Sequence, residues 1–235
     1  EANPRASRTV PFVSKTTGIP LATIAAKVIA GKKLKIFKLK EFDKLTYIGI
    51  KESVFPFQKF PRAKMFLGPE MRSTGEVMGV AKTFGAAMAK AQESTGNPLP
   101  VTGNVFISLN NNDKKQKALE IISKFEKLGF GIVATRGTSK WLLENNIFNE
   151  PVYKVNEGRP NVVDLIKNKE INFVINTPLG EESRFDEYAI GWAAVQYKIP
   201  FITTLSAASS AVEGIARIKS GDLSVRSLQE YYKMY

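Results

Sequence analysis

Phe130-Gly131-Ile132-Val133-Ala134-Thr135-Arg136-Gly137-Thr138-Ser139 is an apolar run that stops on a hydroxyl, bends at a glycine and enters a helical pattern. It reads as a strand over 130–135, a turn, and a helix over 139–145. The unit recurs on both sides. Upstream, 104–109 reads as a strand. The helix after it carries Ala118, Leu119, Ile121, Ile122, Phe125 and Leu128 on one face and stops at Gly129. Asp113 and Gln116 have capping-box spacing at its start. Downstream, 152–155, 172–176 and 200–204 read as strands, with helices over 162–168, 185–197, 207–219 and 224–232. Five strands alternating with helices imply an α/β fold with a doubly wound parallel sheet covered on both faces. Such sheets bind ligands beyond the carboxyl ends of their strands. That rule selects Ser108, Thr135, Asn176, Thr177, Thr203 and Thr204.

The turn at 134–138 has two readings. Gly137 permits a tight bend, Thr135 and Thr138 offer hydroxyls, and a helix start offers free N–H groups, a combination that suits a phosphate monoester. A threonine cap with a turn glycine needs no ligand. Lys114, after the first strand, and Lys154, read as lying within the third, could supply positive charge; Lys154 could equally be a solvated edge lysine. The loop 156–160 either closes over a ligand or only connects.

The first part of the chain is less regular. Pro20 to Ala30 reads as a helix ended by Gly31, 47–54 as a strand, 55–61 as an aromatic and proline loop, and 83–93 as an alanine-rich helix. Between them Glu70–Gly79 reads as a polar, glycine-rich loop in which Arg72 and Glu76 form a salt bridge. Ser94-Thr95-Gly96-Asn97-Pro98-Leu99-Pro100 is the expected boundary, dividing the chain into 1–98 and 99–235.

Composition narrows the chemistry. The 235 residues contain neither Cys nor His, which excludes disulfides, thiolate chemistry and imidazole bases. The net charge of +12 is concentrated before Asn97, where 17 Lys and Arg face 7 Asp and Glu. No nucleic-acid motif accompanies that charge, so no nucleic-acid partner is expected. The cluster Lys32, Lys33, Lys35, Lys38 and Lys40 reads as a solvated loop. Tyr231, Tyr232 and Tyr235 read as packing. No apolar run reaches the ~18–20 residues of a membrane span, and no secretory signal is visible. No membrane partner is expected, and a cytoplasmic location is the simplest reading.

Glu1-Ala2-Asn3-Pro4-Arg5-Ala6-Ser7-Arg8 opens the chain with hard oxygen ligands two residues apart and two guanidinium groups. Glu1 and Asn3 suit a divalent metal, and Arg5 and Arg8 suit phosphate oxygens. This reads as one edge of a nucleotide site whose other walls lie outside the chain.

Glu1 to Lys15, Val54 to Phe60 and Leu67 to Gly79, three motifs in order, resemble the large subunit of carbamoyl phosphate synthase. The resemblance covers nearly the whole chain and implies the end of the second ATP-grasp unit followed by a methylglyoxal synthase-like allosteric domain. That enzyme makes carbamoyl phosphate from bicarbonate, glutamine-derived ammonia and ATP, for pyrimidine and arginine synthesis. The resemblance implies Glu1 and Asn3 as ligands of Mg or Mn, with Arg5 and Arg8 beside the transferring phosphoryl group. ATP and metal would serve the intact enzyme, and this stretch alone would need neither and turn over no ATP. It further implies a nucleotide effector, UMP or IMP, held by Ser108, Lys114, Thr135, Thr138, Lys154, Asn176 and Thr177. Ornithine contacts would be Glu52 and Thr203. Partners would be the rest of the large subunit and the glutaminase small subunit. Pro178 stands where some relatives carry Thr and offers neither hydroxyl nor N–H, and Arg136 stands where His is frequent. Two rivals remain: a free-standing methylglyoxal synthase-like lyase, whose family uses an acidic base and a His that this chain lacks, and a purely structural docking module.

Overall fold

The computed structural model describes residues 6–39, 45–55, 75–177 and 184–234. Glu1, Asn3, Arg5, Lys40, Arg72, Pro178, Tyr235 and the loop 56–61 lie outside them.

Five parallel strands form the larger sheet: β3 (Asn104–Leu109), β4 (Gly131–Thr135), β5 (Glu150–Val152), β6 (Phe173–Thr177) and β7 (Phe201–Ile202). Their spatial order is β5-β4-β3-β6-β7, so the winding reverses between β3 and β6. One face is covered by α4 (Gln116–Lys127), α5 (Arg136–Glu144) and α8 (Leu205–Lys219), which bury Phe125, Leu142 and Ile215 against Val105, Ile107 and Phe173. The other is covered by α6 (Val162–Lys167) and α7 (Arg184–Gln196), around Phe106, Val133, Val174 and Ile166. The strands are apolar on both faces because both are covered. The doubly wound parallel α/β sheet expected from the alternation is therefore present.

Local details depart from the sequence reading. Asn110, not Asp113, caps the turn after β3: its Oδ1 accepts from the Asp113 N–H at 3.1 Å, and its amide donates to Asp113 Oδ2 at 2.6 Å. Helix α4 begins only after Lys115, without a side-chain cap. β5 ends at Val152, so Lys154 lies in a turn beyond the strand. Val152 is opposite Thr135, where β4 gives way to α5 and offers no further backbone partner. β7 is two residues long because the Thr204 hydroxyl already caps α8, accepting from the Ala207 N–H at 3.2 Å.

The preceding region contains α1 (Thr9–Thr17), α2 (Leu21–Ile29), β1 (Ile48–Val54), β2 (Gly75–Ala81) and α3 (Phe84–Ser94). Gly75–Gly79, read as loop, is strand: it pairs antiparallel with β1 from Ile48 opposite Ala81 to Val54 opposite Gly75. Its glycines obscure a strand pattern, and one of them, Gly79, allows close contact with α3. A Cβ on Gly79 would sit 2.0 Å from the Ala87 carbonyl oxygen and 2.5 Å from the Ala91 nitrogen. Helix α3 in turn lies on α8, where a Cβ on Gly85 would sit 2.5 Å from the Glu213 carbonyl oxygen. Leu99, beyond α3, is buried in the core of the parallel sheet.

The last helix, α9 (Leu228–Tyr232), returns to the hairpin. Tyr231 is buried against Tyr47, with ring centroids 5.3 Å apart, and donates to the Val80 carbonyl at 2.9 Å. The Lys90 ammonium donates to both that carbonyl and the Tyr231 hydroxyl, at 3.0 and 3.1 Å. The Tyr232 hydroxyl donates to the Lys15 carbonyl at 2.7 Å.

Gly79→Ala should lower stability by about 3 kcal/mol, because two backbones must separate to admit one methyl group. Gly137→Ala is the matched control: its methyl meets nothing nearer than the Lys114 ammonium at 3.9 Å. Urea unfolding of both variants against the parent checks the difference.

Candidate functional site

The carboxyl ends of β3, β4 and β6 meet where the winding reverses. Ser108 is opposite Asn176, and Leu109 opposite Thr177. Thr135, Thr138, Asn176 and Thr177 are all buried there, an unusual concentration of polar side chains for an α/β core. Thr138, in the first turn of α5, accepts from the Leu109 N–H at 3.0 Å and from the Thr135 hydroxyl at 3.2 Å. Thr135 and Thr138 have one hydroxyl proton each to share between this contact and any ligand. Thr135 also lies 3.5 Å from the Ser108 hydroxyl. Thr135 is the cap residue of α5 but makes no side-chain cap bond, so the N–H groups of that first turn keep their donor capacity at the strand ends.

Three basic residues lie in the segments that adjoin this edge. The Lys114 ammonium bridges the Gly137 carbonyl and Asn111 Oδ1, at 3.0 Å each. The Arg136 guanidinium lies 5.3 Å from the centre of the Tyr153 ring. Lys154 lies two residues past the strand partner of Thr135, and its backbone N–H donates to Glu157 Oε2 at 3.1 Å. Hydroxyl donors, a helix N-terminus and lysines are the equipment of an anion site.

Thr177 is partly committed to structure: its hydroxyl accepts from the Asn110 backbone N–H at 3.1 Å and its side-chain amide at 3.2 Å. Asn110 escaped the sequence reading, although an Asn directly after a strand signals an Asx turn. Thr203 is exposed beyond β7, whereas Glu52 lies on β1 in the separate hairpin. Arg8 precedes α1 and contacts Glu76 on β2 at 3.5 Å; Glu76 is also 3.5 Å from Lys51. Its expected partner Arg72 lies outside the described residues. Among the described residues no group of three or more His, Cys, Asp or Glu could hold a metal, and no helix is long and apolar enough to cross a membrane. An open cleft of about 360 Å³, lined by Thr83, Phe84, Gly85, Glu213 and Arg217, lies between α3 and α8, an unforeseen feature of the join.

Glu52 has an exceptional environment. Burial pushes its carboxyl from 4.5 up to about 7, and Oε2 is buried without a hydrogen-bond partner. The unfolded chain then ionises Glu52 near 4.5 and the folded chain near 7, so stability falls as pH rises through that window. Glu52→Gln should match the parent below pH 4.5 and be the more stable protein above pH 7. Urea midpoints across that range test this.

A family profile described as "MGS-like domain" matches residues 117–203. One described as "Carbamoyl-phosphate synthase L chain, ATP binding domain" matches residues 1–37. The carbamoyl phosphate synthase large chain of Archaeoglobus fulgidus is 50% identical, covering 99% of this chain and 22% of its own length. That of Methanosarcina mazei is 49% identical over 99% of this chain and 22% of its own length. The "Carbamoyl phosphate synthase large chain, C-terminal section" of Aquifex aeolicus is 49% identical over 100% of this chain and 47% of its own length. The chain thus spans less than half the length of each of these relatives.

Proposed function

We propose, from the premise that the chain belongs to the carbamoyl phosphate synthase large-chain family and aligns with its C-terminal section, that it carries the enzyme's nucleotide-effector site. The ligand is a nucleoside monophosphate of the UMP or IMP type. The observation that carries this reading is the buried Thr135–Thr138 hydroxyl pair at the winding reversal, with α5's first turn and Lys114 beside it. A phosphate there receives a hydroxyl proton of the Thr135–Thr138 pair and the first-turn N–H groups of α5, and Lys114 and Lys154 offset its charge. Ser108, Asn176 and Thr177 form the neighbouring strand ends, where the ribose and base would lie.

Binding then acts by population shift: the nucleotide favours one arrangement of the synthetase part and changes its rate. In this reading residues 1–98 close the second ATP-grasp unit and residues 99–235 form the regulatory domain. Glu1 and Asn3 contribute to a Mg or Mn site, while Arg5 and Arg8 flank the phosphoryl group of ATP. Glu52 and Thr203 contact ornithine, whose ammonium would compensate the buried Glu52 carboxylate. The rest of the large chain and a glutaminase small subunit are the partners in cytoplasmic, glutamine-dependent carbamoyl phosphate synthesis for pyrimidines and arginine.

Calorimetric titration of the chain with UMP, and separately with IMP, tests the site. One of them should bind, and Lys114→Ala and Lys154→Ala should each weaken it about tenfold, the loss of one charge-assisted contact. Lys167→Ala, on α6, should leave affinity unchanged. Absence of binding by both nucleotides at millimolar concentration overturns the reading.

A further inference from the structure

Arg136 and Tyr153 meet where the backbone pairing of β4 with β5 stops. Thr135 and Val152 are the last strand partners; Arg136 follows the first and opens α5, and Tyr153 follows the second. The Arg136 guanidinium lies over the Tyr153 ring, 5.3 Å from its centre. Such a contact engages the charge and not the N–H groups, because the ring face attracts the cation through its quadrupole. Arg136 is exposed, and among the described residues no carboxylate pairs with it. Three other arginines do pair: Arg8 with Glu76, Arg159 with Asp164 and Arg217 with Asp222.

The loop 156–160, which the sequence leaves between closing over a ligand and only connecting, is built around that ring. Tyr153 bridges to Asn161, and its carbonyl accepts from the Val162 N–H at 3.3 Å. Gly158 lies against the ring: a Cβ there would be 3.6 Å from two ring carbons. The Asn161 amide donates to the Gly158 carbonyl at 3.2 Å, while its Oδ1 accepts from the Val163 and Asp164 N–H groups. Asp164 closes the loop by pairing with Arg159. The loop therefore fixes the ring, and the ring fixes the guanidinium.

Positive charge that is held in place without a carboxylate suits an anion. The Lys114 ammonium likewise meets neutral oxygens, those of Gly137 and Asn111. Glu157, the one carboxylate of the 153–158 segment, accepts from the Lys154 backbone N–H.

We infer that Arg136 is a further ligand of the effector's phosphate group, and that Tyr153 is its positioning residue. This rests on the nucleotide-effector reading above. A guanidinium held beside the first turn of α5 offers its N–H fork to two phosphate oxygens at once, which an ammonium cannot do. Arg136 thereby favours a nucleotide over the unphosphorylated nucleoside.

Calorimetric titration of the 235-residue chain with UMP, or with IMP if UMP does not bind, tests both roles. Arg136→Ala should weaken binding about tenfold. Arg136→Lys, which keeps the charge but not the fork, should weaken it about threefold. Tyr153→Phe keeps the ring face and should bind as the parent does; weaker binding overturns the role of that face. Tyr153→Leu should weaken binding about threefold in the parent, yet leave the affinity of the Arg136→Ala chain unchanged, because the ring acts through the guanidinium. Unchanged affinity in Arg136→Ala overturns the ligand role, and additive losses in the double variant overturn the positioning role. Should Tyr153→Leu not fold, the Arg136 Nε–H resonance of the parent decides. It should be ring-shifted in the free chain and move at saturating nucleotide; absence of either overturns the inference. If neither UMP nor IMP binds the parent, the effector reading fails and this inference with it. Binding that ignores Arg136 removes this inference alone.

Discussion

Backbones touch at the join between the hairpin and the parallel sheet, and the absence of side chains lets them. Gly79 on β2 lies against Ala87 and Ala91 of α3, Gly85 on α3 lies against Glu213 of α8, and Gly214 lies against Leu99. Contacts this close leave no room to slide, because close-packed interiors resist continuous deformation. Helix α8 also runs along the strands from their carboxyl ends to their amino ends. It starts at Thr204 beyond the strand ends and finishes where Lys219 donates to the Val101 and Leu128 carbonyls. The hairpin is thereby held in fixed relation to the edge where the polar site lies.

That edge has a coherent electrostatic construction. Hydroxyls and N–H groups face it from β4 and α5, and the Lys114 ammonium reaches the start of α5 from the loop after β3. Burial of so many polar groups is costly without partners, and the Leu109–Thr138–Thr135 bonds supply part of the compensation. In the proposed reading a bound phosphate takes up the remaining donors. Glu52 is the opposite case: a carboxylate in an apolar setting whose charge is uncompensated within the described chain.

The sheet was legible because its strands are short apolar runs ending in hydroxyls, separated by helices with a clear 3.6-residue period. The candidate residues followed from a topological rule, requiring only that Ser108, Thr135, Asn176 and Thr177 end their strands. Features that depended on distant partners were not legible. Gly75–Gly79 looks like a loop until α3 is packed on it. Lys154 looks like a strand residue until β4 is seen to stop at Thr135. Asn110 and Asp113 are both good cap formers, and only the position of Asn110 directly after the strand favours it. The Thr138 contact with Leu109 joins residues 29 apart, beyond any periodicity argument.

The return of α9 to the hairpin has a consequence for biosynthesis. Tyr231 fills the small core that Tyr47 and Val80 begin, and its hydroxyl partners the Lys90 ammonium. A ribosome emits the hairpin and α3 more than a hundred residues before that tyrosine. Until then Tyr47 lacks its ring partner and the Val80 carbonyl lacks one of its donors. The hairpin therefore cannot reach its final packing until that tyrosine has been made, however early its two strands pair.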